Sequence, residues 1–94
     1  MSYSVVLAED AILDIDKAVQ YYNGISFGLG FEFTDILDLY FKKIAALPTA
    51  SAIRYDNIRV KAVDIFPFTI HFIISADNTV TILRVFNNNQ KPVG

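Results

Sequence analysis

The residues whose types and spacing best suit a chemical role are the basic side chains of the second half of the chain. Arg59 and Lys61 lie two positions apart in a run that alternates polar and apolar residues, and Arg84 and Lys91 follow towards the C-terminus. Because alternate residues of a strand point to one face, Arg59 and Lys61 should share a sheet face. If the last strands bring Arg84 and Lys91 beside them, the cations form a patch for a phosphate backbone or an acidic protein. Ordinary solvated charges that keep the sheet edges from pairing explain the same residues equally well.

No other residues form a recognisable catalytic or metal-binding set. The chain has one histidine and no cysteine, and its carboxylates lack the spacing of a zinc site, so neither a metal nor a cofactor is expected. Glycine-rich phosphate-binding and dinucleotide-binding motifs are also lacking. His71 lies in a strand-like run and is a candidate base, although a partly buried strand histidine is the favoured interpretation. The acids Asp10, Asp14 and Asp16 are interpreted as the solvated polar face of a helix.

The composition bounds the kind of protein that positions these residues. Its 94 residues allow one domain, spanning 1–94, and the 53% hydrophobic content excludes disorder and leaves apolar surface for a partner. The absence of cysteine and of a leader-like N-terminus predicts a cytoplasmic protein. The most apolar stretch, FPFTIHFIISA, is too short to span a bilayer, so no membrane association is expected.

The charge is small but unevenly distributed along the chain. A net charge of −2 does not suggest a general nucleic-acid binder. Residues 1–50 hold seven acids and three bases, whereas residues 51–94 hold three acids and five bases. A binding site for an anion is therefore expected in the second half.

Hydrophobic periodicity predicts one strand, two helices and then a series of strands. YSVVL at 3–7 is β-branched and is predicted to be a strand. Residues 8–24 place apolar side chains at helical spacing and stop at Asn23-Gly24, and a second helix with Ser26 as its N-cap ends at Pro48. The later strands are SAIRY, IRVKAVDI, FPFTIHFII and VTILRVF, with turns at Asp56-Asn57 and SADNT.

This order of elements predicts an α+β fold. The expected architecture is a strand, a two-helix hairpin and then an antiparallel sheet of three to four strands, with the hairpin packed on one sheet face. Phe31 and Leu39 fall outside the apolar stripe of the second helix. Scattered exposed apolar residues are the favoured interpretation of this pair, and a partner-facing surface is the alternative.

Three segments in a fixed order carry a resemblance to a known family. DAILDIDKAVQYYNGISFGLGFEFTDIL ends its first helix in Tyr-Tyr and leads through a short loop into a helix that contains Phe. IRVKAVDIFPFTIHFII places a basic strand before Phe-Pro-Phe and an alternating aromatic strand, and VTILRVFNNNQKP holds the last strand. This ordered set covers nearly all of the chain and resembles the RelE/ParE family of toxins from bacterial type II toxin–antitoxin (plasmid stabilisation) modules.

The sequence departs from that family at the end of the last strand. Aligned on Phe86 and Pro92, Asn87 stands where the family commonly has histidine, and Gln90 stands where it commonly has arginine. Amides neither titrate near neutral pH nor carry charge, so groups suited to proton transfer and phosphate binding are replaced by hydrogen-bonding groups. The candidates for a catalytic role are Arg59, Lys61, Arg84, Asn87 and Gln90.

The resemblance implies a ParE-like toxin that inhibits growth by binding a protein target such as DNA gyrase and that a cognate antitoxin neutralises. A RelE-like ribosome-dependent mRNA endoribonuclease and a degenerate, non-toxic binding module are the alternatives. The amide substitutions favour protein binding over enzymatic activity, because RelE-like cleavage relies on basic residues of the sheet and C-terminus. A homodimer and a toxin–antitoxin hetero-oligomer both remain open. An acidic antitoxin segment should dock on the basic second half, and the expected partner-binding residues are Arg59, Lys61, Arg84, Lys91, Phe31 and Leu39.

Overall fold

Two helices pack on one face of a five-stranded sheet in the computed structural model, which describes residues 3–88. The elements in chain order are β1 (Ser4–Leu7), α1 (Glu9–Ile25), α2 (Leu29–Ala46), a short 3₁₀ turn (Pro48–Ala50), β2 (Ile53–Tyr55), β3 (Ile58–Ala62), β4 (Phe68–Ile74) and β5 (Thr79–Asn87). Each predicted helix and strand is present, and the α+β class is confirmed.

The sheet has the strand order β1-β5-β4-β3-β2. Strands β2 to β5 are antiparallel to their neighbours, as the succession of short turns predicts. β1 adds a fifth strand at the edge and runs parallel to β5, with Ser4 opposite Thr79 and Leu7 opposite Ile82. The sheet therefore has one strand more than the predicted three to four antiparallel strands, because β1 also joins it, parallel to β5.

The core lies between the helical hairpin and the inward face of the central strands. Aromatic rings fill its centre: Phe33 of α2 lies 4.7 Å from Phe68 and 5.2 Å from Phe66, and Tyr22 of α1 lies 5.4 Å from Phe33, between ring centroids. Such tilted and edge-on ring pairs add to the stabilisation from apolar burial. The buried apolar residues are Ala11, Ala18, Tyr22, Phe33, Leu37, Tyr40, Ile44, Val63, Phe66, Phe68, Ile70, Phe72, Val80, Ile82 and Val85.

The junction between the helices differs from the predicted one. α1 continues through Asn23 to Ile25, and α2 begins at Leu29 after Gly28, whose φ of 85° lies in the left-handed region. The predicted N-cap, Ser26, instead ends α1. Asn23 supplies the side-chain acceptor for α2, because its Oδ1 accepts a 2.8 Å hydrogen bond from the N–H of Gly30. This contact satisfies one of the unpaired N–H groups of the first turn of α2.

The turn between β2 and β3 lies at Asp56-Asn57, as predicted, with Asp56 at a positive φ of 49°. The turn between β4 and β5 holds Asn78 at a φ of 60°. Asparagine and aspartate tolerate this region better than other side chains. In the part of the chain from 3 to 88, neither helix combines the length and the apolar character needed to cross a membrane.

Candidate functional site

A β-bulge sets the orientation of the side chains at the end of the sheet. Phe72 of β4 lies opposite Ile82, whereas the preceding residue, His71, lies opposite Arg84, so Leu83 is the extra residue of β5. Phe72 and Ile82 point into the core and are fully buried. His71 and Arg84 therefore lie on the outer face of the sheet, which the helices do not cover.

A row of polar and aromatic side chains crosses this outer face. His71 shares hydrogen bonds with the Tyr55 hydroxyl, 2.8 Å from Nδ1, and with the Thr69 hydroxyl, 3.0 Å from Nε2. The Phe86 ring meets the His71 ring edge-on at 4.8 Å, and the guanidinium carbon of Arg84 lies 4.5 Å from the Phe86 centroid. We call these five residues the His71 row. The sequence interpretation of His71 as a structural strand residue missed its two hydroxyl partners, because they come from β2 and β4.

Asp14 of α1 holds Arg84 from the side. Arg84 donates from Nε to Oδ2 at 2.8 Å and from Nη2 to Oδ1 at 2.9 Å, which is a bidentate ion pair. The same Oδ2 accepts a 3.0 Å hydrogen bond from the backbone N–H of Val85. β1 ends opposite Ile82, so this N–H lies beyond the covered part of the β5 edge. The interpretation of Asp14 as a solvated residue is wrong, because its carboxylate accepts hydrogen bonds from Arg84 and from the backbone of β5, on the edge beyond the end of β1.

The ionisation of this site follows from these contacts. Burial alone would raise the pKa of Asp14, but the hydrogen bonds from Arg84 and Val85 and the Arg84 charge outweigh it and lower that pKa below 3.8. Hydrogen bonding to Asp14 raises the pKa of Arg84. Burial, and then repulsion by Arg84, lower the pKa of His71 from 6.5. At neutral pH the imidazole is therefore mostly uncharged and the ion pair is fully formed.

Arg59 and Lys61 share one face of β3, as alternation predicts, but that face is not the one that holds Arg84. Arg59 lies opposite Phe72 and Lys61 opposite Ile70, and both of these apolar partners are buried under the helices. The predicted patch of Arg59, Lys61 and Arg84 is therefore not formed. Lys91, its fourth predicted member, and Gln90 lie outside the described residues.

A different group of cations forms where β3 passes the last turns of α2. The ammonium groups of Lys43 and Lys61 lie 4.8 Å and 5.8 Å from the centroid of the Tyr40 ring. Arg59 lies on the same face of β3 and donates from Nη1 to the Ser51 carbonyl at 2.7 Å. We call Lys43, Arg59 and Lys61 the cationic ledge. The sequence analysis missed Lys43, although it follows the apolar stripe residue Tyr40 by one helical turn.

A cleft of about 730 Å³ separates α1 from the end of β5. One wall is helical and includes Lys17, Tyr21 and Ile25, and the other includes Arg84 and Asn87. Asn87, the residue at the family histidine position, is thus at the edge of a concave surface close to the Asp14–Arg84 pair.

The remaining predicted partner residues lie on α2. Phe31 is 61% exposed and Leu39 is 54% exposed. Both are available to a partner, and neither belongs to the His71 row or the cationic ledge. Within residues 3–88 no three acidic or histidine side chains are grouped as a metal site.

Comparisons with known proteins identify the fold. No protein-family model and no curated protein sequence matches the chain. A chain of the chromosomal ParDE TA system from P. aeruginosa has a TM-score of 0.80 and 16% identity, over 92% of this chain and 96% of that one. A chain of the toxin–antitoxin complex RelBE2 from Mycobacterium tuberculosis has a TM-score of 0.66 and 16% identity, over 93% and 99%. The chain therefore has the fold of these two structures, and the fold expected from the RelE/ParE resemblance is confirmed.

Proposed function

We propose that this protein is the toxin of a type II toxin–antitoxin module, that it acts in the cytoplasm, and that a cognate antitoxin neutralises it. Both similar structures are described as toxin–antitoxin assemblies, and the similarity spans nearly the full length of each matched chain. The motif order in the sequence supports the same family independently of the three-dimensional comparison.

Within that class we propose a ParE-like action, in which the toxin binds a protein target such as DNA gyrase. The observation that carries this choice is the bidentate pair between Arg84 and Asp14. Catalysis of phosphodiester cleavage requires cations that stabilise the charge developing on the phosphate. Arg84 is already neutralised by Asp14, and Arg59 and Lys61 lie on the opposite face of the sheet. These positions support binding of a protein more than cleavage of RNA.

A ribosome-dependent endoribonuclease is the second candidate, and the His71 row is the observation that favours it. A mostly uncharged imidazole with a hydroxyl on each ring nitrogen can accept a proton and pass it on. The row also lies on a face that a single strand of RNA could reach. A third candidate is a module that has lost toxicity and retains only its partner surface.

We expect the antitoxin gene to be a small reading frame adjacent to this one, and expression with and without it separates the three candidates. Growth arrest that the neighbouring gene relieves is expected for both toxins. Arrest with an induced DNA-damage response supports the gyrase target, whereas arrest with cleaved mRNA supports the nuclease. Normal growth of a closely related host would contradict both toxins and support the binding module.

A further inference from the structure

The cationic ledge is held in place by the core. Tyr40, the ring beneath Lys43 and Lys61, is only 7% exposed, and its hydroxyl accepts a 3.1 Å hydrogen bond from the N–H of Asp64. A lysine ammonium near a fixed aromatic ring is attracted to the ring face. Because both lysines use one ring, two like charges are kept near each other at a defined place on the surface.

The cations of the ledge form no ion pair within the described chain. Among residues 3–88 the ion pairs are those of Lys42 with Asp38 and of Arg84 with Asp14, so none of the three ledge cations takes part in one. Three clustered cations that form no ion pair stand out in a chain whose net charge is −2. Such a cluster favours an anionic ligand that is supplied from outside.

The surroundings of the ledge favour carboxylates on a protein over a phosphate backbone. Ile53 lies opposite Arg59 on the same face of the sheet and is 54% exposed. An exposed apolar side chain beside cations matches a segment that carries both acidic and apolar residues. A long polyanion would in addition be repelled by the seven acids of residues 1–50.

We propose that the cationic ledge binds an acidic, amphipathic segment of a partner protein. The segment places carboxylates against Lys43 and Lys61 and against the remaining N–H groups of Arg59, and it rests an apolar side chain on Ile53. This inference deepens the proposed function and rests on it for one point only, which is that the partner is the antitoxin. The binding itself is a property of the described surface.

The binding is tested by titrating the ¹⁵N-labelled full chain with a synthetic peptide of alternating glutamate and leucine at low salt. Amide shifts are expected at residues 43, 53, 59 and 61. The K43E/K61E variant should weaken binding by about tenfold or more, and the loss should shrink as salt is raised. The matched control is K17E/K42E, which changes the net charge equally on α1 and at the Asp38-paired lysine, and it should weaken binding by no more than about threefold.

Two results would overturn the proposal. Equal weakening by both variants would mean that only the net charge matters, and tighter binding of polyuridylate at the same amides would mean that the ledge is a phosphate site. A dispersed amide spectrum of K43E/K61E shows that the variant is folded. Growth assays separate this proposal from the proposed function: Lys43→Glu, which changes none of the candidate catalytic residues, should still arrest growth alone but should be relieved less by the adjacent gene. If the parent chain does not arrest growth but the peptide binds the cationic ledge, the proposed function is wrong and the proposed binding site is supported.

Discussion

At the scale of single residues, Asp14 shows how one carboxylate can replace a missing strand. The N–H of Val85 and the guanidinium of Arg84 both donate to it, beyond the point where β1 stops. An unpaired strand edge invites association with another chain, and a charged residue at the edge prevents it. The pair thus protects the end of β5 and at the same time removes Arg84 from the cations that a ligand could use.

The Asp14→Asn substitution is expected to destabilise the protein by about 1–2 kcal/mol, a range that allows for the partial exposure of Arg84. Urea unfolding at several pH values measures the difference. The pKa of Asp14 is lowered on folding, so its stabilisation is complete above 3.8 and is lost as the pH falls through the lower folded value. The stabilities of parent and variant should therefore converge in acid. A constant difference between pH 7 and pH 3 would show that the charge of Asp14 is irrelevant.

His71 is the only histidine, so its ring signals report the site without assignment. An NMR titration should give a pKa below 6.5 in the folded parent, because burial and the Arg84 charge disfavour the imidazolium. The Asp14 charge raises the pKa of His71, so Asp14→Asn should lower it further. Asp16→Asn, which removes the charge of a neighbouring acid of α1, serves as the control. A higher pKa of His71 in Asp14→Asn would contradict a favourable interaction between the Asp14 charge and the imidazolium.

Substitution of Asn87 together with Gln90 tests whether an activity was lost at the end of the last strand. The double change Asn87→His with Gln90→Arg introduces the residues that the RelE/ParE family commonly has at these positions and adds one fixed charge, and residue 87 lines the same cleft as Arg84. Added positive charge should raise RNA affinity, more so at low salt. Binding to a labelled single-stranded RNA, together with a growth assay, measures the gain. If the parent is fully toxic and the variant is no different, these positions do not carry the function.

At the scale of elements, the sequence predicted the helices and strands, because the patterns that indicate them are local. The periodic apolar residues of α1 and α2 and the alternation in β3 and β4 identified every helix and strand, since burial of one face leaves that signal. The helix junction was missed because Asn23 caps α2 from across the hairpin. The faces of Arg59 and Arg84 were misjudged because the bulge at Leu83 changes the alternation of β5. The pairing of β1 with β5 leaves no local pattern at all.

The crossing of the two helices depends on Gly30. A Cβ at this position would lie 2.6 Å from the Val19 carbonyl oxygen and 2.8 Å from Asn23 Oδ1, so Gly30→Ala should force the helices apart and cost about 1–3 kcal/mol. Gly24 has open space around its Cβ position, and Gly24→Ala should stabilise α1 by about 0.5–1 kcal/mol. Thermal unfolding of the two variants measures the contrast. Equal effects would show that the helices do not approach closely at Gly30.

At the scale of the whole molecule, the candidate binding residues fall on three separate surfaces. The outer sheet face holds the His71 row, the seam of α2 and β3 holds the cationic ledge, and α2 exposes Phe31 and Leu39. A partner segment that covered more than one of these surfaces would have to wrap around the domain. Disordered segments that fold on binding can cover a surface of this kind.

The double change Phe31→Ser with Leu39→Ser tests the apolar part of that surface. Both side chains are more than half exposed, so the stability should change by no more than about 0.5 kcal/mol. Affinity for the product of the adjacent reading frame should nevertheless fall, because apolar contact area is lost. Calorimetric titration provides the affinity and thermal unfolding the control. Unchanged affinity would leave both residues as scattered surface side chains.

The parallel pairing of β1 with β5 has a consequence for how the chain folds. The helical hairpin and the β2–β4 meander can form from contacts that are close in sequence, whereas β1 must wait until residues 79–82 are in place. Pairing two strands that are so far apart in the sequence costs chain entropy before any contact forms, and it slows folding. Until β1 arrives, the edge of β5 is an uncovered template for any other strand. While β1 is unpaired, the strand of a second chain can compete with it for that edge.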